Sequence, residues 1–330
     1  MKAAILGNGG FGTAMALSLA RAGHAVSLWG HDPVYTTAIA ASRRNPRYLD
    51  GVVLPDAIRV SHDATAVLDR CELVLVAVPT QHVRGVMTQV AAVVPSTVPL
   101  VSLAKGLEQS TGRRPTEILS EVVGRPERVF ALSGPSHAEE IARELPTTVV
   151  VAGTDDTALQ ALQVALQTKT FRVYRNRDVL GIEICGALKN VMALAAGIAD
   201  GLGYGDNAKA AILTRGLVEM QRYGLACGAD PRTFFGLAGV GDLAVTAFSR
   251  HGRNRAFGER IGRGETLEQA LRASPKVAEG VWTSKVVVAE GARLGVEMPI
   301  ATAVARVLFD GMSGQDAVRA LMERDPKAEA

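Results

Sequence analysis

The first half of the chain alternates short, unbroken apolar runs with stretches whose apolar positions recur at helical spacing. Runs fall at residues 25–29, 73–78, 99–103, 129–132, 147–151 and 171–174, and a shorter one leads into a glycine cluster near the N-terminus. Because these runs are continuous and not alternating, they predict strands covered on both faces, hence an open α/β sheet. In such sheets ligands gather beyond the carboxyl ends of the strands. Pro79-Thr80-Gln81, Lys105-Gly106 and Ser133-Gly134-Pro135-Ser136 all fall there. From residue 179 onward the pattern changes to long Ala/Leu/Val segments of helical period, at 179–199, 208–223 and 283–294, with no comparable strand signal. The division is therefore expected near Arg177, with residues 1–177 forming the sheet domain and 178–330 an all-helical one. The very apolar stretch 182–199 should lie buried between them, and the charged tail 323–330 should fray.

The N-terminal run breaks at Gly7-Asn8-Gly9-Gly10-Phe11-Gly12-Thr13 and continues as a helical pattern, and a second strand follows Gly23. A strand, a glycine turn and a helix in that order make a dinucleotide cradle. Gly7 permits the turn, Gly9 lets a pyrophosphate approach the backbone, and Gly12 lets helix and strand pack closely. The free amides at Gly10 and Phe11 and the positive helix end then face phosphate. The fold class that results is an N-terminal Rossmann-type doubly wound sheet followed by an all-α C-terminal domain. At the end of the second strand Gly30 occupies the position where an NAD-specific site places an acid on the ribose. The missing carboxylate leaves room for a 2′-phosphate, to which His31 could donate unless it caps the turn; Asp32 is the alternative ribose contact. NADP(H) is favoured and NAD(H) stays open.

Composition narrows the partners. Of 330 residues, 48% are apolar and 5% aromatic, and 36 basic against 33 acidic residues leave +3, too little for a nucleic-acid protein. Cys71, Cys185 and Cys227 are isolated, which suggests neither a disulfide framework nor a metal cluster and fits a reducing cytoplasm. The N-terminus lacks a signal-peptide core, and no apolar run is expected to span a membrane. A cytoplasmic homodimer without a metal is the expected state.

Chemistry concentrates at a few polar positions. Lys189 and Asn190 stand together in an otherwise apolar helical segment. Burial would pull the lysine pKa toward the range useful for proton transfer, making Lys189 a candidate general acid; a snorkelling lysine is the alternative. Asn190 could orient substrate or bond backbone. Lys105, at a strand end, could hold an anion or polarise a carbonyl. Gly134 and Ser136 open a helix whose amides suit an anion, unless the serine is an ordinary cap, and His137 has no partner the sequence can identify. Asp242, in a glycine-bracketed turn, could pair with a lysine and a hydroxyl. Gly252-Arg253-Asn254 could grip a phosphate or be a solvated helix start. Together these residues imply a small phosphorylated, hydroxylated substrate.

With Ala104-Lys105-Gly106-Leu107-Glu108, Ala187-Leu188-Lys189-Asn190, Gly241-Asp242-Leu243, Gly252-Arg253-Asn254-Arg255, Val277-Ala278-Glu279-Gly280 and Gly295-Val296-Glu297-Met298-Pro299 in this order, the chain resembles the bacterial NAD(P)-dependent glycerol-3-phosphate dehydrogenases. The resemblance implies reversible reduction of dihydroxyacetone phosphate to sn-glycerol 3-phosphate, for phospholipid synthesis. It implies Lys189 as proton donor, with Lys105, Gly134, Ser136, Asp242, Gly252, Arg253 and Asn254 on the substrate. Gly10, Phe11, His31, Lys105, Ala138, Arg253, Val277 and Glu279 are implied on the cofactor. Asn8 stands where alanine is commoner, and Gly252 where serine is common. A β-hydroxyacid-type dehydrogenase would space its lysine and asparagine by a helical turn, whereas here they adjoin. A non-catalytic NAD(P)-sensing regulator should lack the buried lysine.

Overall fold

The computed structural model describes residues 1–249, 252–273, 278–326 and 328. The sheet domain runs β1 (Lys2–Leu6), α1 (Gly10–Arg21), β2 (Ala25–Trp29), α2 (Pro33–Ser42), β3 (Arg44–Asn45), β4 (Leu49–Val53), β5 (Ile58–Ser61), α3 (Ala64–Leu68) and β6 (Leu73–Val76). It continues through α4 (Thr80–Val90), β7 (Leu100–Ser102), α5 (Pro115–Val123), β8 (Val129–Ser133), α6 (Ala138–Ala142), β9 (Thr147–Ala152), α7 (Asp156–Leu166) and β10 (Phe171–Asn176). The main sheet has the order β10-β9-β8-β7-β6-β1-β2-β5. Its central strands are covered on both faces, as their unbroken apolar sequences require: every residue of β6 and β8 is buried.

Three features depart from the pattern reading. β9 pairs antiparallel with β8, and β10 follows it in parallel, so the last two strands run against the rest. Hydrophobic periodicity carries no strand direction, so this reversal leaves no trace in the pattern. β5 and the β3–β4 hairpin lie in a stretch too polar and too short to register as strands.

The second domain is α8 (Val179–Gly201), α9 (Asp206–Cys227), α10 (Asp242–Phe248), α11 (Arg253–Gly262), α12 (Leu267–Ala273), α13 (Glu279–Arg293), α14 (Pro299–Phe309) and α15 (Gly314–Met322). Contrary to expectation, α8 is 23 residues long and apolar enough to cross a membrane by length and composition. Here it is a core helix: residues 181–199 are all buried, against both the sheet domain and the other helices. Asp178 caps its start, accepting from Gly181 N at 2.8 Å.

α11 packs on α8 at backbone contact. A Cβ at Gly197 would sit 2.0 Å from the Arg255 carbonyl oxygen, and one at Gly258 would sit 2.2 Å from that of Leu194. Glycine at these helix positions costs about 1 kcal/mol each in propensity. In return the helices approach closely enough for Asn254 Nδ2 to donate to Asn190 Oδ1 at 2.9 Å.

Buried carboxylates fasten the two domains. Glu183 on α8 accepts from Arg114 Nη1 at 2.7 Å, from Thr116 N at 2.8 Å and from the Thr116 hydroxyl at the start of α5. Glu279 at the start of α13 accepts from Thr80 N and Thr80 Oγ1, both at 2.9 Å, at the start of α4. A carboxylate at a helix N-terminus meets unpaired amides and the positive end of the dipole. Burial nevertheless pushes both carboxyls above their usual pKa, opposed by these hydrogen bonds and by Arg114 or Arg253.

Candidate active site

The glycine loop joins β1 to α1 at the carboxyl edge of the sheet. Gly7 has φ +118°, and a Cβ there would press on the Ala77 carbonyl at 2.7 Å; a Cβ at Gly12 would lie 1.9 Å from the Gly7 oxygen. Strand and helix therefore meet closely only with glycine at both places. Above Gly9 nothing lies within 4 Å of a Cβ position, so this side is open. The first amides of α1, at Gly10, Phe11 and Gly12, lack carbonyl partners within the helix and point outward with the dipole. Open space, unpaired amides and dipole fit a dinucleotide pyrophosphate. Gly10 lies between the Tyr48 carbonyl, 2.8 Å from its Cβ position, and the Ala138 methyl at 3.8 Å, while Phe11 is half-buried against the sheet core.

A clamp missing from the sequence reading holds this loop. Asn45 on β3 donates from Nδ2 to Asn8 O and Thr13 Oγ1, both at 2.8 Å, and accepts from the Tyr35 hydroxyl at 2.6 Å. The end of β2 also differs from expectation. Gly30 leaves no room for a side chain of its own, because a Cβ there would lie 2.1 Å from Asn8 Nδ2 and 2.2 Å from Thr36 Oγ1. The Asn8 amide, donating to Thr36 Oγ1 at 3.1 Å, fills the space. His31 is exposed, and Asp32 is the cap of α2, accepting from Tyr35 N at 3.0 Å.

The lysines converge where the domains meet. Lys189, 6% exposed, donates to Asp242 Oδ1 at 2.6 Å and to Thr246 Oγ1 at 2.7 Å. Two of its three hydrogens are thus placed and one remains. Lys105 donates to Asp242 Oδ2 at 2.8 Å, to Gly134 O at 3.0 Å and to Ser136 Oγ at 3.5 Å, which engages all three. Asp242 and Thr246 lie one turn apart on α10, hence on one face. Burial lowers the Lys189 pKa to about 8 although Asp242 opposes it, with the Lys105 and Arg253 charges adding to the fall. Burial alone would raise the Asp242 carboxyl, but the two ammoniums hold it below its ordinary value. Lys189 is therefore a buried ammonium and does not snorkel.

Ser136 donates to Gly134 O at 2.8 Å and caps nothing. α6 is one short turn in which Glu140 N and Ile141 N bond His137 O. Half-buried His137 is pushed below its usual pKa by burial and by the Lys189 charge. Asn190 spends both amide hydrogens on Lys105 O at 2.8 Å and Gly186 O at 3.2 Å, so of its two expected roles the structure displays the backbone one.

Gly252 caps α11 without a side chain, and a Cβ there would meet the Thr246 carbonyl at 2.5 Å. Arg253 is exposed at this helix start. Asn254 is buried, its Oδ1 accepting from Gly280 N at 3.0 Å, and one amide hydrogen is left over. Val277 lies outside the described residues. His31 stands apart from the lysines, at the far end of the cradle beyond β2.

Profiles of one protein family match both halves: NAD-dependent glycerol-3-phosphate dehydrogenase N-terminus over residues 2–159 and C-terminus over 178–319. This chain belongs to that family. It is 48% identical to glycerol-3-phosphate dehydrogenase [NAD(P)+] of Chlorobium limicola, across 100% of this chain and 99% of the relative. Identity to the Geobacillus kaustophilus enzyme of the same name is 47%, over 99% and 95%. The crystal structure of glycerol-3-phosphate dehydrogenase from Coxiella burnetii matches with a TM-score of 0.93 at 36% identity, covering 98% of this chain and 99% of that one. The chain is thus an NAD(P)-dependent oxidoreductase, and the β-hydroxyacid and sensing-regulator alternatives are set aside. Among the described residues no cluster of three or more His, Cys, Asp or Glu is placed to hold a metal ion.

The residues whose role the sequence did not reveal are Thr246, Thr80 and Asn45. Thr246 had a signal, the one-turn spacing from Asp242. Thr80 had its place beyond a strand end but not its partner, 199 residues away, and Asn45 had no signal, its partner Asn8 lying 37 residues away.

Proposed function

We propose that the chain reduces dihydroxyacetone phosphate to sn-glycerol 3-phosphate, with Lys189 as the proton donor. The observation that carries this is the third hydrogen of a buried lysine whose other two are fixed on Asp242 and Thr246. When bound, NAD(P)H supplies the hydride to the ketone carbon. The oxygen of that carbon then gathers negative charge, which a preorganised ammonium both stabilises and protonates. Asp242 keeps Lys189 charged and aimed, and Lys105 keeps Asp242 from shifting. In this reading residues 1–177 hold the cofactor on Gly7, Gly9, Gly10, Phe11 and Gly12, with Ala138 and Glu279 at its margins. Residues 178–330 supply the acid and, at the start of α11, the grip on phosphate by Arg253 and Asn254. Lys105, Gly134 and Ser136 line the substrate side. Three free thiols, Cys71, Cys185 and Cys227, support a cytoplasmic location. The homodimer expected from the sequence remains part of the proposal.

The test follows NADPH and NADH oxidation with dihydroxyacetone phosphate against unphosphorylated dihydroxyacetone. Only the phosphate ester should saturate at low concentration. Arg253→Ala should raise KM by about 10- to 100-fold, since a phosphate that loses a charged hydrogen bond loses about 1.5–3 kcal/mol. Equal use of both ketones, or unchanged kinetics in the variant, contradicts the phosphate assignment.

A further inference from the structure

We infer that Arg47 takes the 2′-phosphate of NADPH and thereby sets the preference between the two cofactors. This rests on the cofactor reading above, and on features of the β3–β4 hairpin that the substrate reaction does not use.

In a dinucleotide fold the adenosine ribose lies beyond the end of the second strand, where an acid selects the 2′-hydroxyl or an arginine accepts the 2′-phosphate. Here the acid position is closed, because Asn8 occupies the space beside Gly30. Asp32, the next carboxylate, is engaged as the cap of α2. A cation stands beside it. The Arg47 guanidinium lies 4.4 Å from the centre of the Tyr35 ring, 6.0 Å from that of Tyr48, and 3.9 Å from Asp32 Oδ2. Ring stacking holds a guanidinium by its face and leaves its N–H edge for a bidentate acceptor. The side chain is 53% exposed and its one ion pair is long, so this edge is not consumed.

Its position is fixed relative to the pyrophosphate loop. Arg47 N donates to the Tyr35 hydroxyl at 3.0 Å, that hydroxyl donates to Asn45 Oδ1, and Asn45 bonds Asn8 O and Thr13 Oγ1. A continuous chain of hydrogen bonds thus runs from the glycine loop to the arginine. The neighbouring Arg43 is spent on the carbonyls of Leu54, Pro55 and Ile58. His31 follows β2 directly and is exposed.

The test is binding of NADPH and of NADH, each followed by nucleotide fluorescence without substrate, for the wild type, Arg47→Ala and Arg47→Lys. Arg47→Ala should raise the Kd for NADPH about 10- to 100-fold and that for NADH by less than about 2-fold. Arg47→Lys should fall between, because an ammonium keeps the charge and loses the fork. NADH binding doubles as the control for folding. Equal weakening of both cofactors would assign Arg47 to holding the hairpin, and an unchanged ratio would give the 2′-phosphate to another group; either overturns the inference. Wild-type protein that binds both nucleotides and shows the arginine effect, yet leaves dihydroxyacetone phosphate untouched, would support the inference and sink the substrate reading alone.

Discussion

Lys189→Met should fold, bind NADPH as the wild type does, and lose at least about 100-fold in turnover, the lower range for a positioned general acid. Methionine matches the lysine stem and fills the same space in α8, so the change removes the ammonium with little change in packing. Asp242 keeps its pair with Lys105, which limits the disturbance to one lost donor. Lys105 is no substitute, since its three hydrogens are already directed to Asp242, Gly134 and Ser136. Fluorescence of bound NADPH and steady-state turnover measure the two properties separately. Near-normal turnover with intact binding would mean that the proton comes from another group.

Gly30→Asp should weaken both cofactors together. If Gly30 were vacant space beside a 2′-phosphate, an aspartate there would repel that phosphate selectively. In the structure its Cβ would overlap the Asn8 amide, so the aspartate displaces the glycine loop that both cofactors use. Overpacking of this kind costs about 1–3 kcal/mol in stability, and the loop displacement adds a loss of binding. Asn8→Ala and Thr36→Ala combined with Gly30→Asp remove both side chains that obstruct the Cβ. The triple variant should recover stability and bind NADH better than NADPH. Thermal unfolding and nucleotide titration of both variants check this; a single variant that already discriminates between the cofactors contradicts it.

The glycine loop, the domain order and Lys189 were legible in the sequence because each is a local pattern. Unbroken apolar runs report strands buried on both faces, and a lysine inside an apolar helix reports a desolvated charge. Long-range partners leave no such mark. Glu183 and Glu279 read along the chain as ordinary helix carboxylates, yet each joins the domains by accepting from a helix start far away in sequence. The β3–β4 hairpin is short and rich in arginine, so it carries no hydrophobic signal, although Asn45 within it fixes the cofactor loop. Ser136 and Asn190 were legible as residue types and not as roles, because an amide or hydroxyl serves substrate and backbone equally well. The need for glycine at Gly252 is explained by the carbonyl of Thr246, which lies in the space a side chain would need.

The central claim is that Lys189, held charged by Asp242, moves the proton. Its most direct test is the pH dependence of kcat/KM in both directions, which reports groups of the free enzyme. Reduction of dihydroxyacetone phosphate requires the ammonium, so kcat/KM should be level below pH 8 and fall above it, following a Lys189 pKa of about 8. Oxidation of glycerol 3-phosphate requires the neutral amine and should rise through the same pH. In Asp242→Asn the carboxylate that favours the ammonium is gone while the Lys105 and Arg253 charges remain, so both limbs should move to lower pH. Limbs that stay in place in Asp242→Asn, or a reduction rate that climbs with pH in the wild type, would contradict the account.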